Sequence, residues 1–112
     1  MMELICKKTC STCRKAVALL DAEGVEYRYR EYTEEPLTEA ELRATLKMLG
    51  VGPKAVLRKN DKAWPESGLT GAESDEALIQ AMLKHPTLVQ RPIGIKDGRA
   101  VLGRPPEALL SL

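Results

Sequence analysis

ICKKTCSTCRKAVALL, residues 5–20, holds every cysteine of the chain, Cys6, Cys10 and Cys13, directly before an apolar stretch. Ahead of it, Met2 to Cys6 (MELIC) is low in turn formers and reads as a short strand, closed by the polar Lys7-Lys8-Thr9. Behind it, Ala16, Val17, Leu19 and Leu20 recur at helical spacing, which predicts a helix from Thr12 to Ala22 ended by Gly24. The cysteines therefore sit across a strand-to-helix junction. Backbone N–H groups at a helix start, with the dipole behind them, favour a thiolate over a thiol. Lys7, Lys8, Arg14 and Lys15 add positive charge. The thiolate is the nucleophilic form, so this setting marks Cys10 as the reactive candidate. Cys13 completes a C-x-x-C and lies about one helical turn on, close enough to attack an adduct on Cys10 and form a disulfide.

Other readings of the three thiols compete. A structural zinc needs four ligands, and only Cys6 and His85 remain to join the pair, on different elements. No metal is expected. Cys6, on a strand, suits packing as a small apolar filler. A structural disulfide fits poorly, because the odd cysteine count and the absence of a secretion signal point to a reducing, cytoplasmic setting.

Further along, Val25, Tyr27 and Tyr29 alternate with Glu26, Arg28 and Arg30, which predicts a strand with one charged, exposed face near a sheet edge. Thr38 with Glu41 forms a capping box for a helix buried through Leu42, Leu46 and Leu49 and closed by Gly50. Residues 51–73 read as loop with short helical turns. A further helix starts at Ser74, carries Leu78, Ile79, Met82 and Leu83, and stops at His85-Pro86. Ile93 to Ile95 and Ala100 to Leu102 read as a hairpin around Asp97-Gly98, and Pro105 opens a last short helix through Leu110. The order is β-α-β, a helical insertion over about 36–86, then β-β-α. It predicts one domain over residues 1–112, with helices on a four-stranded mixed sheet of thioredoxin type.

Composition narrows the function. The chain has 112 residues, 17 basic and 16 acidic, and a net charge of +1, without the basic excess of a nucleic-acid surface. No apolar run approaches a membrane span, and the N-terminus does not read as a signal peptide. A monomer is the default expectation.

Four motifs, T-C-S-T-C-R at 9–14, L-R-K-N at 57–60, H-P-x-L-V-x-R-P-I at 85–93 and G-R-P-P-E at 103–107, resemble the glutaredoxin-coupled arsenate reductase family. Spx-type transcriptional regulators share that family. The resemblance runs from Leu4 to Leu110 and implies a thioredoxin-like fold with a helical insertion. It implies that Cys10 is the nucleophile and that Arg58, Arg91 and Arg104 hold the oxyanion. Ser11, Thr12 and Arg14 match the loop whose N–H groups face substrate, and Pro92 matches a proline with a cis peptide bond. Arsenate is a tetrahedral anion, and guanidinium groups bind such oxygens through paired charge-assisted hydrogen bonds.

The implied activity is thiol-dependent reduction of arsenate or a similar oxyanion, with no bound cofactor and with glutathione and glutaredoxin, or thioredoxin, as electron donor. Cys13 departs from the reductases' usual single cysteine and matches the Spx regulators. The second expectation is therefore a redox switch at Cys10–Cys13 that binds the RNA polymerase alpha subunit, without direct contact to nucleic acid.

Overall fold

A computed structural model describes residues 1–112. By internal contacts the chain forms two compact units, one of residues 1–35 with 91–112, the other of residues 36–90.

The first unit contains β1 (Met2–Cys6), α1 (Ser11–Ala22), β2 (Tyr27–Glu31), β3 (Ile93–Lys96) and β4 (Arg99–Leu102). Its sheet has the order β2-β1-β3-β4. β1 runs parallel to β2, in register Met2 with Tyr27 through Cys6 with Glu31. It runs antiparallel to β3, which pairs antiparallel with β4. Four mixed strands behind a β-α-β crossover are the expected thioredoxin-like arrangement. β2 is an edge strand, as its charge pattern implied.

Period-2 alternation sends Met2, Leu4 and Cys6 to one face of β1, where they form a core with Cys10, Cys13, Ala16, Leu20 and Leu109. Ala16 and Leu20 lie one turn apart on α1, so the spacing seen in the sequence is the spacing that packs. Gly94 lets the C-terminal segment close over this face: a Cβ there would stand 2.8 Å from Leu109 Cδ2 and 2.9 Å from Leu112 Cδ1. That segment, Pro106–Ser111, is the short helix expected after Pro105, and it is of 3₁₀ form. Its bonds run i to i+3, from Ala108 N–H to the Pro105 carbonyl and from Leu112 N–H to the Leu109 carbonyl, as short terminal pieces favour.

Arg30 also departs from expectation. The alternation placed it on an exposed face, yet it is only 6% exposed. A buried charge must be paired. Arg30 Nη1 lies 3.4 Å from Glu3 Oε1, and its Nε donates to the Glu35 carbonyl at 2.9 Å.

The second unit contains α2 (Glu39–Leu49), α3 (Ala63–Ser67) and α4 (Asp75–Lys84). Thr38 and Glu41 form the complete capping box, and Gly50 ends α2 in the left-handed region at φ 72°. Ser74 caps α4 by accepting from Ala77 N–H. Leu42 and Leu46 of α2, and Leu78, Ile79 and Met82 of α4, are buried. The unit continues to Gln90, past the Pro86 boundary, because Leu57 bridges Val89 and the flanking amides are bonded. Arg58 N–H donates to the Leu88 carbonyl at 2.7 Å, and Gln90 N–H to that of Val56 at 2.8 Å.

No helix of the chain is long and apolar enough to cross a membrane.

Candidate active site

Cys10 occupies the N-cap of α1 in extended conformation, and its side chain makes no capping bond. The β1–α1 loop is held on both sides of it. Cys10 N–H donates to the Lys7 carbonyl at 3.0 Å, and Arg14 N–H donates to the Cys10 carbonyl at 3.0 Å. The sulfur therefore stands beside the first-turn N–H groups, where a helix lacks internal acceptors and favours an anion. Ser11 and Arg14 are exposed and Thr12 is half-buried, so the first turn of α1 is open at its outer side.

Two arginines of the same unit approach this sulfur. Arg104 Nη2 lies 3.9 Å from Cys10 Sγ, while its Nε donates to the Arg91 carbonyl at 2.9 Å. The Arg91 side chain hydrogen-bonds Cys10 and donates from Nη1 to the Tyr32 hydroxyl at 3.1 Å. Burial opposes the Arg91 charge, but Tyr32 and Cys10 outweigh it, and its pKa lies above the usual guanidinium value. Both Arg91-Pro92 and Arg104-Pro105 are cis peptides. The first was expected from the resemblance; Pro105 carried no signal that set it apart.

Gly103 makes the approach of these two segments possible. A Cβ there would stand 2.8 Å from Pro92 Cγ and 3.0 Å from Leu109 Cδ1. Its N–H donates to the Pro92 carbonyl at 2.8 Å, so the segments carrying Arg91 and Arg104 are tied directly.

Arg58 belongs to the other compact unit. Its Nη1 lies 3.5 Å from Gln90 Oε1 and its Nε 3.9 Å from Asp61 Oδ1. Asp61 is itself fixed by Thr87 Oγ1 at 2.7 Å and Ala63 N–H at 3.0 Å.

None of the three cysteines forms a disulfide. Cys13, 1% exposed, receives the Lys7 N–H on its sulfur at 3.5 Å. The Cys13 pKa is lowered to about 6, chiefly by the hydrogen bond from Cys6, against the cost of burial, with Lys7 N–H, Cys10 and Arg91 adding to the fall. Cys6 shifts the other way and stays protonated, because Cys13 takes its hydrogen bond and burial disfavours its charge. Cys6 was expected to be core, and it is fully buried.

Three contributors escaped the sequence reading. Tyr32, which orients Arg91, lies just past β2 and resembles any strand aromatic until the fold closes over it. Cys6 touches Cys13 only because α1 packs back over β1. Glu31 accepts from Lys8 N–H at 2.7 Å, Tyr29 Oη at 3.1 Å and Thr33 Oγ1 at 2.6 Å, tying the cysteine loop to β2.

The ArsC family profile matches residues 6–112. An arsenate reductase of Yersinia enterocolitica is 38% identical over 93% of this chain and 74% of its own length. An arsenate reductase of Escherichia coli K12 is 35% identical over 92% of this chain and 74% of its own. Among solved structures, an arsenate reductase from Vibrio cholerae superposes with a TM-score of 0.87 at 33% identity, covering 98% of this chain and 95% of that one. A cysteine at a helix N-cap beside two mutually braced arginines, in a chain with these relatives, has one reading at family level: this chain belongs to the ArsC family of arsenate reductase-like oxidoreductases.

Proposed function

We propose that the chain reduces arsenate, or a closely similar tetrahedral oxyanion, with Cys10 as nucleophile. The observation that carries this reading is the pair Arg91 and Arg104 on Cys10 Sγ, with Arg104 at 3.9 Å. Two guanidinium groups and a helix N-terminus at this sulfur offer donors to a bound oxyanion. Arg58 is assigned as the third guanidinium on the family resemblance alone, as are the roles of the Ser11, Thr12 and Arg14 loop and of Pro92 in lining the substrate.

In the reaction, the Cys10 thiolate forms an S–As bond while an As–O bond breaks, the departing hydroxide taking a proton from solvent to leave as water. A second thiolate then attacks Cys10 Sγ. The S–S bond forms, the S–As bond breaks with its electron pair kept by arsenic, and arsenic(V) departs as arsenic(III). Cys13 supplies that thiolate in this reading, because its sulfur already hydrogen-bonds Cys10. Thioredoxin would then reduce the Cys10–Cys13 disulfide; glutathione with glutaredoxin is the other route.

Arsenite release measured with arsenate and each donor system in turn tests the proposal. Turnover with either system is expected, and Cys10→Ser should abolish it. No turnover with both systems, together with capture of the RNA polymerase alpha subunit, would replace the enzyme by the Cys10–Cys13 switch of the Spx type.

A further inference from the structure

We propose that Cys6 is a positioning residue: its buried S–H donates to the Cys13 sulfur and holds it as the thiolate that resolves a Cys10 adduct. The inference rests on the assignment of Cys10 and Cys13 just given.

Cys6 is the last residue of β1, Cys13 lies in the first turn of α1, and both belong to one core cluster with Cys10. All three cysteines of the cluster are buried, Cys10 at 8% exposure, Cys13 at 1% and Cys6 at 0%. The Cys13 sulfur accepts the Lys7 N–H at 3.5 Å, and Cys6 and Cys10 both hydrogen-bond it. A sulfur ringed by donors is matched as an acceptor, and a thiolate accepts without having to place a proton of its own.

The surroundings decide which member of the inner pair keeps the proton. Cys13 faces Arg91, and it shares a cavity of about 320 Å³ with Lys7, Lys8 and Arg14, whose other walls are Val17 and Tyr29. Cys6 faces Cys13, Cys10 and Glu31, each of which opposes a negative charge on it, and β2 adds Tyr27 and Tyr29, both held neutral by burial and hydrogen bonding. The proton therefore stays on Cys6 and the charge on Cys13. When Cys13 attacks Cys10 Sγ, it enters the reaction ionised and no base is needed to remove a proton from it. Cys6 keeps its proton throughout. It does not act as a third redox thiol, since a fully buried sulfur that resists ionisation is a poor attacker.

Ultraviolet thiolate absorbance, titrated in the Cys10→Ser background, tests the assignment without turnover. One thiolate is expected to form near neutral pH. Adding Cys6→Val should raise its midpoint by about one unit or more, a tenfold change or larger in ionisation constant. Adding Cys6→Ser instead should restore part of the shift, because the hydroxyl donates. Cys6→Ala serves if the valine does not fold, with circular dichroism as the check. Adding Cys13→Ser to Cys10→Ser should leave no thiolate step below about pH 8. An unchanged midpoint without the Cys6 donor, or a neutral step that survives loss of Cys13, would overturn the proposal. Arsenite release is scored separately, so failure of the reductase reading leaves this titration interpretable.

Discussion

Cys10 stands where helices usually carry Ser, Thr, Asp or Asn, whose oxygens accept an N–H of the first turn. Its side chain makes no such bond, so the start of α1 lacks a side-chain cap. Cys10→Ser should therefore abolish arsenite release while raising stability, by up to about 1 kcal/mol, since serine caps well. Thermal denaturation of the reduced proteins is the check. A variant that melts markedly lower would show that the sulfur has a packing role beyond its chemistry. Tyr32 makes a second test. Tyr32→Phe removes the acceptor for Arg91 Nη1, a loss of about 1 kcal/mol. The expected result is a several-fold rise in KM for the oxyanion with the fold intact, measured by arsenite release across substrate concentrations.

At the scale of elements, the parts legible in the sequence were those set by local physics. MELIC, the Ala16–Leu20 spacing, the Thr38–Glu41 box and the Asp97-Gly98 turn each needed only neighbouring residues to be read, and each formed its element. Arg30 and Tyr32 escaped because their partners are remote in sequence, and the Cys6–Cys13 contact because it needs α1 packed on β1. Arg30 finds Glu3 across the sheet, Tyr32 finds Arg91, and Cys6 finds Cys13 through a helix crossing. Within the candidate site, the place of Cys10 at a helix start was readable locally, but the approach of Arg91 and Arg104 to it was not: without the family motifs each resembles a surface charge.

Two predictions belong to this scale. Thr38→Ala removes the hydroxyl that accepts from Glu41 N–H and keeps the Thr38 N–H bond to the Glu41 carboxylate, which should cost about 1 kcal/mol in denaturant unfolding and leave kcat unchanged under folding conditions. Gly103→Ala places a Cβ against Pro92 and Leu109. It should reduce kcat/KM more than stability if the strain passes to Arg91 and Arg104, and unchanged kinetics in that variant would refute the link.

For the whole molecule, the cysteine pair ties stability to pH with opposite signs. Cys13 ionises at about 6 in the folded chain, below the ordinary thiol value of 9.0. The unfolded chain thus binds one more proton between those values, and stability rises with pH there; it is lost as pH falls through about 6. Cys6 is held protonated, so above the ordinary thiol value folding binds the extra proton and stability falls. Chemical denaturation of the reduced protein should therefore pass through a maximum near mildly alkaline pH. Cys13→Ser should remove the rising limb, and persistence of that limb would mean another group supplies it.

The first compact unit is assembled from both ends of the chain, residues 1–35 and 91–112. During synthesis, Cys10 emerges before residues 36–90, and β3 and β4, with Arg91 and Arg104 beside them, emerge only after that whole stretch. A nascent chain that has reached Gln90 carries Cys10 with neither of those arginines beside it. The sulfur and the guanidinium groups that meet it are thus parted in synthesis by the whole second unit, and they come together only once residues 91–112 have joined the sheet.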